Sequence, residues 1–341
     1  MSVIPNTIQP IGYHEGREKV WGFLGTSAEA RMVKGDQQIF YVNNAHAVAS
    51  DAHDGVDPDA PLATIQGIID RTVAYNAGTG TRQPVLTQHD TIYVSGNVSE
   101  AVIVPGANVP TYVSIIGAGN GRHSPTWASG AAASNCLTIR REGWRISGFT
   151  FECSSLAAGI QLQTSAASSY DAYKTIIDNC VFDGLWSGLY GIDFNGGTHR
   201  VGIYNNWFVE MNNANPALSF CIYITDATDS NPYQCEIIGN RFMDSDNYIG
   251  NLASIRGFNV SLFKKNVFEE GVLLVPTIYL DLRGGSRGYN IVTGNFFGGA
   301  YTNAGGYYAH VATPNSCWIG NVAEPTPAAV ADNGFTVAVP A

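Results

Sequence analysis

GIYNNWF (Gly202–Phe208), EIIGNRF (Glu236–Phe242), LFKKNVF (Leu262–Phe268) and IVTGNFF (Ile291–Phe297) are four copies of one short pattern. An aliphatic or aromatic residue is followed by two variable positions, an Asn, one more position and a Phe. RISGFTF (Arg145–Phe151) and IIDNCVF (Ile176–Phe182) precede them, and a decayed copy, CWIGNVA (Cys317–Ala323), follows. The position two before the Phe holds Phe149, Cys180, Asn206, Asn240, Asn266, Asn295 and Asn321, spaced by 31, 26, 34, 26, 29 and 26 residues. A unit of that length buries its apolar face only by stacking on its neighbours. The segments alternate rather than repeat every 3.6 residues, so the unit is built of strands. Leu is too sparse for a leucine-rich repeat. Asn tolerates a left-handed backbone, which predicts a turn at the Asn itself. Stacked in register, such side chains can form a hydrogen-bonded ladder.

A second strand recurs between the Phe motifs: GIQLQ (Gly159–Gln163), GIDFN (Gly191–Asn195), CIYIT (Cys221–Thr225) and TIYLD (Thr277–Asp281). Alternation puts Ile160/Leu162, Ile192/Phe194, Ile222/Ile224 and Ile278/Leu280 inward, with Tyr223 and Tyr279 outward. Each coil thus has at least two strands and two turns. The fold class expected is all-β: a right-handed parallel β-helix of about seven motif copies. The polar stretches Ser165–Tyr173 and Ala227–Tyr233 read as loops. Upstream, Ile39–Val42, Thr91–Val94, Ala101–Val104 and Val113–Ile116 are strand-like. Leu62–Tyr75 is the strong helix signal, with Leu62, Ile65, Ile68, Ile69 and Val73 on one stripe and Asp59 or Pro61 at its start. A solenoid needs a cap over its open apolar end, and this helix supplies it. Three regions follow: an anchoring segment 1–38, the β-helix 39–323 with its capping helix at 62–75, and a tail 324–341.

Composition agrees with strands and tight turns. Only 13% of the 341 residues are charged, and 38 are Gly. The net charge of −10 argues against nucleic acid, whose phosphates demand clustered Lys and Arg. The six cysteines have no CxxC pair, so no metal or cofactor is expected and they read as reduced, small hydrophobes. MSVIPNTIQP lacks a basic n-region and an apolar h-region, and no apolar run reaches about 18 residues. The expectation is a chain made in a cytoplasm and not exported by the Sec route, with no membrane partner.

Chemistry would need paired carboxylates, about 5 to 9.5 Å apart for glycoside hydrolysis. Equivalent positions on adjacent coils lie about 4.8 Å apart. Asp193 and Asp281 fall about three coils apart, too far. The residue after the motif Phe gives Glu152 and Asp183 on neighbouring coils. The next register gives Glu210, Asp244 and Glu270, a ladder of three acids that would raise one another's pKa or recruit a cation. The alternative is that all five splay into water at a coil corner. Asp51, Asp54, Asp57 and Asp59 with His53 lack calcium-loop spacing and read as turn and helix-cap residues.

The run IFYVNNAHAVASDAHDGVDPDAPLATIQGIID, followed by DTIYVSGNVSEAVIVP and VSIIGAGNGRHSPT, resembles the N-terminal part of β-helix proteins of tailed-phage virions. The matching residues are Tyr41-Val42, Asp54-Gly55, Asp57-Pro58, Pro61–Ile65 and Ile115–Gly119, with His123–Thr126 a looser match. The resemblance covers roughly residues 39 to 323. It implies a homotrimer on the virion, in one of two roles. One is a non-enzymatic capsid decoration (cement) protein, attached to the major capsid protein through its N-terminal segment. The other is a tail spike that binds or cleaves host surface polysaccharide. For cleavage the candidate acids are Glu152, Asp183, Glu210, Asp244 and Glu270.

Overall fold

The computed structural model describes residues 38–80, 83–118, 124–131, 133–164, 172–196, 198–212, 219–225, 231–250, 257–269, 278–282, 288–298, 316–323 and 328–329. Among these, the strands form three long sheets. Sheet one has ten strands, from Ile39–Val42 to Cys317–Ile319. Sheet two runs from Val98–Ser99 to Val322–Ala323, closed by the antiparallel Ala328–Ala329. Sheet three has seven strands, from Val102–Val104 to Ile278–Leu280. Every other pairing between strands is parallel, and the chain visits the sheets in the order one, two, three. The protein is a right-handed parallel β-helix, the hand that parallel crossovers take. Each Asn–Phe motif spans two strands, so a coil has three, and sheet one counts ten rungs rather than the seven motif copies.

The corner between sheets one and two is the most regular part. From Arg145–Ser147 and Thr150–Glu152 to Cys317–Ile319 and Val322–Ala323, two residues join the strands in every coil. The first of the two is left-handed: Gly148, Asn179, Asn205, Gly239, Lys265, Gly294 and Gly320, with φ between 54 and 80°. The ladder Asn is therefore not the turn residue, contrary to the sequence expectation. It follows the turn and points inward, freeing its amide to staple coils. Asn206 Oδ1 accepts from Cys180 N at 2.9 Å, and Asn206 Nδ2 donates to Ile177 O at 2.9 Å. The Oδ1 atoms of Asn240, Asn266, Asn295 and Asn321 each accept from the backbone N and Nδ2 of the Asn one coil before, at 2.9–3.1 Å. A second, shorter ladder of Ser261, Asn290 and Ser316 staples the corner between sheets three and one.

Beside the Asn ladder, the motif aromatics stack through the core. Trp127, Phe151, Phe182, Phe208, Phe242, Phe268 and Phe297 pair in register, with ring centroids 4.7–5.3 Å apart. Tyr279 departs from expectation. Leu280, not Ile278, pairs with Ile249 in the Ile160–Ile192–Ile222 column, so the register of TIYLD is two residues off its sequence alignment. Tyr279 is buried against Tyr248, Phe268 and Phe297, and its OH donates to Gly298 O at 2.8 Å.

The cap is helix α1, Ile65–Asn76, whose buried Ile65, Ile68 and Ile69 join the core beside Val102–Val104. It starts three residues later than Leu62, because Thr64 is the N-cap and accepts from Gly67 N at 2.9 Å. Leu62 instead bridges Val42, buried. Distant carboxylates take the other free amides: Asp51 those of Ala63 and Thr64, Glu100 those of Ile65 and Gln66. Asp54 and Asp57 accept from Val56 N and Asp59 N, so the acidic loop is built of turns and a cap.

All six cysteines are unpaired thiols. Burial pushes Cys136, Cys180 and Cys235 up to about 12, and Cys153 and Cys221 are raised as well. Cys317 alone is half-buried, on the last strand of sheet one. Because the thiolate is the reactive form, mass spectrometry after brief treatment of native protein with a thiol reagent is expected to find label on Cys317 only. Labelling of Cys180 or Cys221 at a comparable rate would contradict the packed core.

Candidate functional site

From Arg145 onward, length variation in the coils is confined to the two edges of sheet three. On the way in, the connection runs from Met243 to Asn247 at its shortest and from Val209 to Phe220 at its longest. On the way out, it runs from Asn195 to Gly202 or from Gln163 to Ile176. Functional side chains concentrate at these edges, where chain can be added without disturbing the staples.

The edge leading in from sheet two is acidic. Glu152 and Asp183 are paired rungs of sheet two, the neighbours expected from the motif spacing. Glu210 and Asp244 follow on the next two coils, each left-handed with φ of 60 and 49°. Gly184 holds the equivalent place in the coil of Asp183, where an added Cβ would lie 2.1 Å from Glu210 O. The Glu210 carboxyl is raised by burial first, then by Asp183 and Asp244. Asp244 Oδ1 is buried and lacks a hydrogen-bond partner. Glu269 is bound by Arg241 in a 2.7 Å ion pair. Glu270 lies outside the described residues.

Sequence reasoning did not single out the apolar knob beside these acids. Leu185 and Trp186, both left-handed, are 52% and 40% exposed, and Leu156 on the preceding coil is 64% exposed. Leu185 N donates to Asp183 Oδ1 at 2.9 Å, which ties the knob to the acidic corner. A large exposed aromatic following an acid was the available signal.

The outer face of sheet three carries Asp193, buried and accepting from Gln161 Nε2 at 2.8 Å and Thr225 Oγ1 at 2.7 Å. Burial raises its carboxyl. Tyr190 and Tyr223 stack beside it, 4.3 Å between centroids and 1° between planes. Asp281 follows the strand three rungs along, so the structure does not bring these two acids together.

The edge leading out to sheet one is basic and aromatic. Arg140 and Arg141 end one rung, and Lys174 and Arg200 hold the left-handed corner position of the next two. Lys174 Nζ sits 2.9 Å from Glu142 Oε1 and 3.0 Å from Tyr112 OH. Lys174 and Arg200 both lie over the Tyr173 ring, at 4.7 and 5.4 Å. His199 packs between Tyr173 and Tyr233, its pKa lowered by burial and by Arg200.

The raised Glu210 gives a prediction with a definite sign. Its proton is held more tightly in the folded than in the unfolded chain, so ionisation opposes folding, and the penalty is full above the folded pKa and gone below the unfolded one. Glu210→Gln is therefore expected to melt higher than the parent near neutral pH and to lose that advantage by about pH 3.5. An equal difference at both pH values in thermal melts would rule out a penalty from the charge on Glu210.

Among the described residues, no group of three or more His, Cys, Asp or Glu side chains is arranged to hold a metal ion, and no helix is long and apolar enough to cross a membrane. No family model matches the chain, and no curated protein matches it. Among solved structures, the native GH136 lacto-N-biosidase from Eubacterium ramulus is similar, at 12% identity and TM-score 0.37 over 91% of this chain and 70% of that one. Its selenomethionine derivative gives 11% identity and TM-score 0.34 over the same shares. At those values the likeness carries no argument about activity, and the fold rests on the sheets themselves.

Proposed function

We propose that this chain is a structural protein of a tailed-phage virion, assembled as a homotrimer and displayed on the capsid surface as a decoration (cement) protein. The observation that supports it is the stapling of the shaft. From Asn206 to Asn321 every coil is tied to the next by inward amides, beside a continuous aromatic stack, which makes a rigid rod with long walls. The cap residues that resemble those of virion β-helix proteins add to it: Gly55 is left-handed at φ +77° where an added Cβ would strike Leu62. On this reading residues 1–38 attach the rod to the major capsid protein, and no cofactor takes part. Cryo-electron microscopy of purified virions is expected to find the rod in many copies over the whole capsid. Copies confined to the tail would overturn it.

A second reading is favoured by one observation, the raised Glu210 between Asp183 and Asp244 beside the exposed Trp186. A raised carboxyl flanked by two others, next to an exposed aromatic, suits a tail spike that binds or cleaves host polysaccharide. Its test is clearance of host capsule by purified protein, abolished by Glu210→Gln.

A further inference from the structure

The two edges of sheet three are opposite in charge, and they run along the same coils. Glu152, Asp183, Glu210 and Asp244 mark the incoming edge on four successive rungs, while Glu269 is offset by Arg241. Among the described residues of these coils, Arg140, Arg141, Lys174 and Arg200 mark the outgoing edge, against the carboxylate of Glu142. Lys174 stands between the rungs of Glu152 and Asp183, and Arg200 between those of Asp183 and Glu210. The acids and bases thus share both a pitch and a height on the rod.

We propose that copies of this chain associate corner to corner about an axis parallel to the solenoid, the basic edge of one against the acidic edge of the next, with sheet three of each copy facing the axis. The inference rests on the homotrimer reading and assigns its interface. Rotation about such an axis keeps every coil at its own height, so Arg200 of one copy comes level with Asp183 and Glu210 of the next. A twofold across the rod would reverse the coil order and lose that match. Edges of unlike charge make a head-to-tail contact, which closes into a ring. Leu156, Leu185 and Trp186 supply the apolar anchor that charge pairs at a rim do not. The half-buried rings of Tyr173 and His199 lie on the same two coils of the basic edge and offer the surface for them.

Sedimentation velocity on the full chain tests this. The parent is expected to be a trimer whose association weakens as salt is added. Arg200→Glu and Trp186→Ala should each weaken association by at least about 10-fold. Adding Glu210→Arg to Arg200→Glu should restore it to within about 3-fold of the parent, the signature of a direct pair. Circular dichroism checks that each variant is folded, and should Arg200→Glu fail that check, the exposed Trp186→Ala decides. A trimer indifferent to Arg200→Glu, or not restored by Glu210→Arg, overturns this interface and leaves the homotrimer reading standing. A parent that is monomeric at all concentrations overturns both.

Discussion

Asn206→Leu is expected to cost about 3 kcal/mol of stability, while Asn205→Gly, one residue away, changes it by less than about 1 kcal/mol. The two side chains have nothing in common beyond their chemistry. Asn206 is buried at 2% exposure, and its amide holds Cys180 N, Ile177 O and Asn240 Oδ1. Leu fills the space but leaves Cys180 N and Ile177 O in the core without that partner, and each orphaned backbone group costs about 1–3 kcal/mol. Asn205 is exposed and left-handed at φ 55°, a conformation Gly adopts freely. Urea midpoints and unfolding rates of the two variants separate the roles. Equal losses would mean that the ladder amide contributes no more than the turn residue.

The second large effect belongs to the aromatic stack. Phe242 lies 4.9 Å from both Phe208 and Phe268, and Tyr248 closes a third side at 5.7 Å. Phe242→Ala removes a fully buried ring from a site whose neighbours are fixed by backbone pairing above and below, so the cavity cannot collapse. The expected loss is about 4 kcal/mol, against about 1–2 kcal/mol for Phe242→Leu. Val181→Ala, on the outward side of the same sheet, should cost under about 1 kcal/mol. Hydrogen exchange should show the loss as faster opening of the coils on either side of Phe242, the solenoid being coupled through nearest neighbours. A uniform change along the rod would contradict that coupling.

What could be read from sequence follows from which contacts are local. The Asn–Phe motif encodes two strands and a tight corner within seven residues, so its period declared the fold and its register set Glu152 beside Asp183. Assigning the left-handed turn to the ladder Asn failed, because Asn suits both a turn and an inward amide, and in NNWF the two roles fall to the adjacent Asn205 and Asn206. The start of α1 depended on Asp51 and Glu100, far from it in sequence. Tyr279 was misplaced because strict alternation fails in these strands, where the adjacent Cys221 and Ile222, like Tyr248 and Ile249, are all fully buried, and Asn247–Gly250, with no Ile-x-aliphatic signature, was the missing rung. The acidic corner was legible as a list of residues. Trp186 and the opposite basic edge were not, because they sit on connections of irregular length.

The two-residue corner between sheets one and two makes rod length an adjustable quantity. Since its geometry is the same in every coil from Arg145 onward, cutting after Asn206 and resuming at Arg241 would remove 34 residues and still read Asn205-Asn206-Arg241-Phe242 across the seam. The chain can thereby be shortened or lengthened by whole rungs, like a ruler cut at its marks. Recombination between coils would change how far the rod reaches without having to invent a new joint.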